Sequence, residues 1–306
     1  MVIRVNSSRR LLTALLVSSI VIGADDTSPD LTVRPKSFGI DHQNDYYPEN
    51  PRDYDRGDFS GFANWSVSTE APNDDFTFVR IRYPSYGDGG FGRRRRGGGW
   101  HVDYPGAEMN LSFRLQQMTS LRVNPNSAIV DIEPEQMRHY PFLYMDEVGQ
   151  IDLTEPQAQA LRDYMLNGGF VMVDDFWGTD EWDGFYRAFK MIWPDRDFVE
   201  LEMDHDIFHS VFDLKEKPMV PGKGVAVRAY HMGDTRYHEW FKPGSETVHY
   251  RAVYDDQKRM CMIICWNTDN GDGWEEEAAD PWYFREFSEK YAYPLAINII
   301  YYAMTH

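Results

Sequence analysis

Beyond residue 75 the chain alternates short apolar runs with stretches whose apolar residues recur three and four apart, the pattern of strands interleaved with helices. Residues 76–83 are β-branched and aromatic and predict a first strand. Residues 107–121 place Leu111, Leu115 and Met118 at i, i+4 and i+7, which predicts a helix with one buried stripe. The apolar runs 128–132 and 141–145 predict two further strands. Thr154 then stands three residues before Gln157, with Pro156 in the first turn, a capping-box start for a helix that Gly168 ends with a left-handed cap. Phe170–Val173 reads as a buried strand, and Trp182, Phe185, Phe189 and Ile192 mark a helix that Pro194 stops. His249–Tyr254 and Met260–Trp266, joined by the turn 255–258, predict a hairpin on the edge of the same sheet. A helical region over 284–304, broken or restarted at Pro294, closes the chain.

Strand, helix, strand, helix is the βαβ rhythm, so the expected fold is α/β: a mostly parallel sheet covered on both faces, with one antiparallel hairpin. The two cysteines, Cys261 and Cys265, fall in the last strand. Four residues of regular strand separate them by about 13 Å, beyond the ~7 Å reach of a disulfide, and point both to one face as small buried hydrophobes.

Composition adds the surroundings. At 306 residues and 42% hydrophobic, the chain buries one large core. Its formal charge of −18 disfavours nucleic acid and anionic lipid as partners. Arg4, Arg9 and Arg10 precede an apolar run over 11–24, a secretory-signal pattern. Those 14 residues span roughly 21 Å as a helix, short of the ~30 Å membrane core, so export to the periplasm is expected, with an uncleaved anchor as the rival. Residues 25–75 form an acidic, proline-bearing arm before the main domain at 76–306.

In an open α/β sheet, ligands bind beyond the carboxyl ends of the strands. Three predicted strands end there on polar groups: Asp146 and Glu147; Asp174 and Asp175, followed by Trp177; and Asn267, Asp269, Asp272 and Glu275. Carboxylates gathered at one rim need a cation, donors or raised pKa values. The competing role for each acid is capping of the next helix or turn. Trp100 and Asp103 are further candidates for the rim, where aromatic faces beside acids suit a cationic or polyhydroxylated ligand. A second candidate is a divalent-metal site from His205 and His209, four apart, with Asp174 or Asp175. Gly87, Gly89 and Gly92 match G-x-G-x-x-G, but Arg93, Arg94, Arg95, Arg96 and more glycines follow where a helix would have to start, so no nucleotide is expected. The arginines form a cationic loop, solvated or docked on an anionic partner. No G-x-S-x-G elbow is present, which removes acyl transfer through a covalent serine.

The run PFLYMDEVGQIDLTEPQAQALRDYMLNGGFVMVDDFWG, with DHDIFHSVFDLKEKP, NTDNGDGWE and FSEKYAYPLAINIIYYAMTH, resembles a bacterial family known only as domain of unknown function DUF4159. More distantly, the strand, helix and GGFVMVDD layout is similar to the trehalose-utilisation-like and class I glutamine amidotransferase-like superfamily, which implies a flavodoxin-like three-layer fold. Amidotransferases of that superfamily carry a nucleophilic cysteine after the equivalent strand, and here Asp174-Asp175-Phe176-Trp177 stands instead. The resemblance therefore implies the fold without that activity. The expectation is an exported, non-catalytic domain that binds a small ligand or an envelope protein through its acidic and aromatic rim, with no cofactor beyond a possible divalent metal. A metal-dependent hydrolase and a subunit of a cell-envelope complex, associated with the membrane through the N-terminal segment, are the alternatives.

Overall fold

A computed structural model describes residues 62–67, 75–85 and 99–306 of the chain. The leader, most of the acidic arm, the glycine motif at 87–92 and the four arginines lie outside the described residues. Of the arm's aromatics, Trp65 lies along the main domain: its indole N–H donates to the Val123 carbonyl at 2.7 Å and its ring meets Phe113.

Seven strands form one sheet in the order β2-β1-β3-β4-β7-β6-β5. They are β1 (Val79–Arg82), β2 (Ala128–Asp131), β3 (Phe142–Met145), β4 (Phe170–Val173), β5 (Val199–Glu200), β6 (His249–Tyr254) and β7 (Met260–Trp266). β2, β1, β3, β4 and β7 are mutually parallel, and β6 and β5 continue the sheet antiparallel. The five parallel strands follow the flavodoxin-like order, in which the chain leaves β1 toward β2 and returns to its other side at β3.

The helices are α1 (Gly106–Met118), α2 (Pro134–Met137), α3 (Glu155–Leu166), α4 (Gly178–Ile192), α5 (Lys223–Met232), α6 (Asn270–Glu275), α7 (Pro281–Tyr283) and α8 (Tyr293–Thr305). Alternate strand residues build two cores, as a pleat with period two requires. Phe78, Phe142, Tyr144, Met172 and Ile263 face α1 and α8, whereas Val79, Leu143, Val171, Val173 and Ile264 face α3 and α4. The result is a three-layer sandwich. α3 starts as its sequence predicts, with both bonds of the Thr154–Gln157 capping box present and Gly168 left-handed at φ 107°. The C-terminal helix does restart near Pro294: a π-helical stretch, Phe284–Ala292, gives way to α8 with the proline in its first turn.

Two sequence expectations need correction. Met118 is 47% exposed, because the buried row of α1 runs Ala107, Leu111, Leu115 and ends one turn earlier. The two cysteines face opposite sides of the sheet, Cys261 toward α3 and α4 and Cys265 toward α1 and α8. The reason is a bulge: Val253 pairs with Met262 and Tyr254 with Met260, so Cys261 has no register partner and the alternation slips by one. Residues 205–209, whose two histidines would share a face in an α-helix, form instead a single 3-10 turn, Asp206–Phe208, with the histidines at its two ends.

Candidate functional site

β3, β4 and β7 run in register, Met145 beside Val173 and Val173 beside Ile264, so their carboxyl ends share one lip. Immediately beyond it the backbone turns left-handed at a non-glycine residue in each strand's exit: Glu147 at φ 47°, Asp175 at φ 46° and Asn267 at φ 62°. Such a turn costs about 1–2 kcal/mol for an L-residue. It has a geometric effect on the paired acids. The first member, Asp146 or Asp174, is fully buried under the lip, and the second, Glu147 or Asp175, turns toward the crevice.

The buried layer is a polar network. Arg80, in the middle of β1, is fully buried and donates to Glu108 on α1, to Asp146 at 2.8 Å and to the Trp100 carbonyl at 2.8 Å. Tyr144 donates its hydroxyl to Asp146 at 3.0 Å or Asp174 at 3.2 Å. Asp174 accepts the backbone N–H of Asn270 at 2.9 Å, the Asn270 amide at 2.8 Å and the Gly271 N–H at 3.2 Å, and so pins the start of α6. Burial, together with the Asp146 charge, still raises its pKa to about 7. Capping is thus the role of Asp174, one of the two assignments its sequence position allowed.

The outer layer lines a cleft of about 480 Å³. Asp103, Glu147, Asp175, Asp269 and Asp272 face it, with Trp177, whose indole N–H donates to Asp175 at 2.9 Å. Asp269 also caps α6 by accepting the Asp272 N–H at 2.7 Å. Around the α-carbon of Gly222, a β-carbon would sit 3.4 Å from an oxygen of Asp269, 3.4 Å from one of Asp272 and 3.5 Å from one of Glu239. Deeper in, Asp103, Asp272 and Glu275 bring one carboxylate oxygen each within 4.8 Å of one another. Two unit charges that far apart repel by about 3.5 kcal/mol at an effective dielectric of 20. Burial and this mutual repulsion push Asp103, Asp175, Asp269 and Glu275 well above the usual carboxylate range.

Not every candidate reaches the cleft. Trp100 packs against the α3–α4 core, and it is its carbonyl that serves the site, by holding Arg80. Asn267 is buried as a brace, accepting the Gly178 N–H at 2.8 Å and donating to the Gly244 and Thr247 carbonyls at 2.8 and 2.7 Å. The metal set of His205, His209 and Asp175 is not assembled. His205 caps its own turn through the Ile207 N–H and meets Tyr254, which pairs with the first residue of β7, whereas Asp175 lies beyond the strands' far ends. Six strand steps, about 20 Å, separate those levels. His209 is committed to Asp213 at 2.7 Å and to the Met203 carbonyl.

The cleft also contains groups with no sequence signal. Glu239, Trp240, Phe241 and Lys242 arrive from the segment between α5 and β6, and Lys242 pairs with Glu181 at 2.8 Å. Arg80, beneath the cleft, was missed because Arg80 and Arg82 at i, i+2 read as the polar face of a strand, whereas β1 lies between β2 and β3 and buries Arg80 under the site.

Residues 77–304 match the family described as a domain of unknown function (DUF4159). The chain belongs to that family. No curated protein matches it. The DUF4159 span contains every side chain of the cleft and of the network beneath it, from Arg80 to Glu275, so the site is wholly a property of this domain.

Proposed function

We propose that this DUF4159 domain is a non-catalytic binding module whose rim at the strand carboxyl ends captures a small organic cation, in a protein exported to the periplasm or held at the membrane by its N-terminal segment. The observation that carries the reading is the charge of the cleft wall. Asp103, Glu147, Asp175, Glu239, Asp269 and Asp272 line it against Lys242 and Arg228, and Lys242 is already paired with Glu181. Trp240 and Phe241, both exposed beside those acids, offer ring faces for an ammonium group. A cleft of this size suits a small molecule rather than a protein segment. Nucleophilic chemistry finds no support in the thiols: both are buried in β7, where burial raises Cys261 to about 12 and Cys265 well above its ordinary value.

Isothermal titration with spermidine, with glucose as the uncharged polyhydroxyl comparison, tests the reading. Saturable spermidine binding that Asp175→Asn weakens by about tenfold or more is expected. Absent binding, or binding indifferent to Asp175→Asn, overturns it.

A further inference from the structure

We propose that Asp103, Asp272 and Glu275 form a site for one hard divalent cation, with Ca²⁺ the best fit. The proposal rests on the reading of the cleft as cation-attracting and adds an inner site that shares Asp103 and Asp272 with the cleft wall. Three carboxylates from two segments meet here. Asp103 comes from the loop before α1, held left-handed at φ 63°, and Asp272 and Glu275 stand i, i+3 on α6, where side chains share a face.

An independent observation points to a missing partner. Asp103 is only 6% exposed, its oxygen Oδ2 is buried with no amide, hydroxyl or cationic donor among the described residues, and the side chain it meets is Glu275, another carboxyl, a contact that holds only through a shared proton or a bridging cation. Buried polar atoms are rarely left so. Glu275, 8% exposed, sits in the same group. The nearby lysine compensates the group only in part: Lys223 directs its ammonium to Glu276 at 2.6 Å and gives Asp272 its backbone N–H, at 2.7 Å, so its charge reaches Asp272 and Glu275 from a distance and burial still raises both. Gly271 makes the approach of Asp103 feasible: a β-carbon there would lie 2.2 Å from Asp103 Oδ2.

The donor set selects the ion. Three carboxylates with no histidine or cysteine suit hard cations and not zinc or copper. Oxygens that share one cation are separated by at most twice the bond length, about 5 Å for Ca²⁺ and about 4.2 Å for Mg²⁺. These oxygens lie within 4.8 Å of one another, close enough for one cation to bridge, and three protein carboxylates suit Ca²⁺, whose coordination is flexible, better than Mg²⁺, which usually takes one or two and keeps its waters.

The test is isothermal titration of CaCl₂ into the full chain stripped of metal, beside MgCl₂ and ZnCl₂, with each titration repeated for spermidine. One Ca²⁺ per chain is expected, bound more tightly than Mg²⁺ or Zn²⁺. Asp103→Asn and Glu275→Gln should each weaken it by roughly tenfold or more, with Glu135→Gln on the exposed surface of α2 unchanged. Both variants keep the side-chain shape and remove a repelling charge, so their metal-free melting temperatures should match or exceed that of the parent. Absence of saturable Ca²⁺ binding, affinity indifferent to the two variants, or tighter binding of Zn²⁺ overturns the proposal. Ca²⁺ binding without spermidine binding supports the inner site and removes the organic-cation reading; spermidine binding without Ca²⁺ does the reverse.

Discussion

Arg80→Met puts the buried network to a quantitative test. Arg80 is the one fully buried cation among the described residues, and it neutralises Glu108 and Asp146, both also fully buried. Severing a buried ion pair costs about 3–5 kcal/mol, because the partner charge stays behind without compensation. Here two carboxylates stay behind, and their escape is to take up protons. That uptake costs about 1.4 kcal/mol for each pH unit above the ordinary pKa. From ordinary values of 4.5 for Glu108 and 3.8 for Asp146, full uptake costs at most about 3.4 and about 4.4 kcal/mol at pH 7 and at most about 0.7 and about 1.6 kcal/mol at pH 5; these are ceilings on the loss, because burial already raises Asp146 to about 6 and Glu108 above its ordinary value with Arg80 in place. The variant should therefore lose several kcal/mol at pH 7, a large part of the 5–15 kcal/mol a domain possesses, and regain most of it at pH 5. A residue of about 1–3 kcal/mol persists at both, from the Trp100 and Val102 carbonyls that lose their donor. Urea denaturation followed by circular dichroism at the two pH values measures the difference. A deficit under about 1 kcal/mol at pH 7, or one equal at both pH values, would refute the claim that Arg80 holds two buried charges in place.

Two further outcomes follow from the same geometry. Because burial raises Asp174 to about 7 and holds Asp103, Asp175, Asp269 and Glu275 above their ordinary range, the native state binds more protons than the unfolded chain. Their contribution is complete below the ordinary carboxylate pKa and is lost as pH rises through about 7, so the melting temperature in EDTA should fall from pH 5 to pH 8; a rise would contradict the burial of these acids. Gly184→Ala would set a β-carbon 1.9 Å from the Gly149 carbonyl oxygen, forcing α4 off the 3-10 turn 148–150, and should cost about 1–3 kcal/mol or more in the same denaturation assay, with a neutral result showing that α4 does not rest there.

How much of this was legible depended on whether the determining contacts are local. The Thr154–Gln157 box, the strand Phe170–Val173 and the stripe of α4 each carry their signal within one turn or one pleat, and each stands where it was predicted. The gathering of Asp146, Asp174 and Asn267 at one lip also followed, because parallel strands in register put their exits side by side whatever the loops do. The segment Asn270–Glu275 has no apolar period that would mark it as a helix. It is helical because Asp269 caps it and Asp174, about a hundred residues earlier, accepts its first N–H groups. The slip at Cys261 is equally silent in the residues around it, since a bulge is set by how two strands pair. Likewise nothing near Trp240 or Phe241 announces the cleft they line.

The strand that ends on Asp174 and Asp175 carries a structural role in its first acid and, on the function proposed above, a binding role in its second. If capping were the whole purpose, the first acid would suffice and the second position could be glycine, which adopts φ 46° without steric penalty. An aspartate stands there instead, strained and turned toward the cleft, and the exit of β3 repeats the arrangement with Asp146 inside and Glu147 outside. Among the described residues, five non-glycine residues have left-handed backbones; three of them, Asp103, Glu147 and Asp175, line this one crevice, Asn267 braces the same lip from beneath, and Lys258 lies in the β6–β7 turn. Strain gathered in one place must be offset by the packing around it, here the network of Arg80, Tyr144 and Asn270. The buried charges and the strained acids are therefore one device: the inner layer fixes the turns, and the turns aim carboxylates into the cleft, where their mutual repulsion is relieved by protons or by a bound cation.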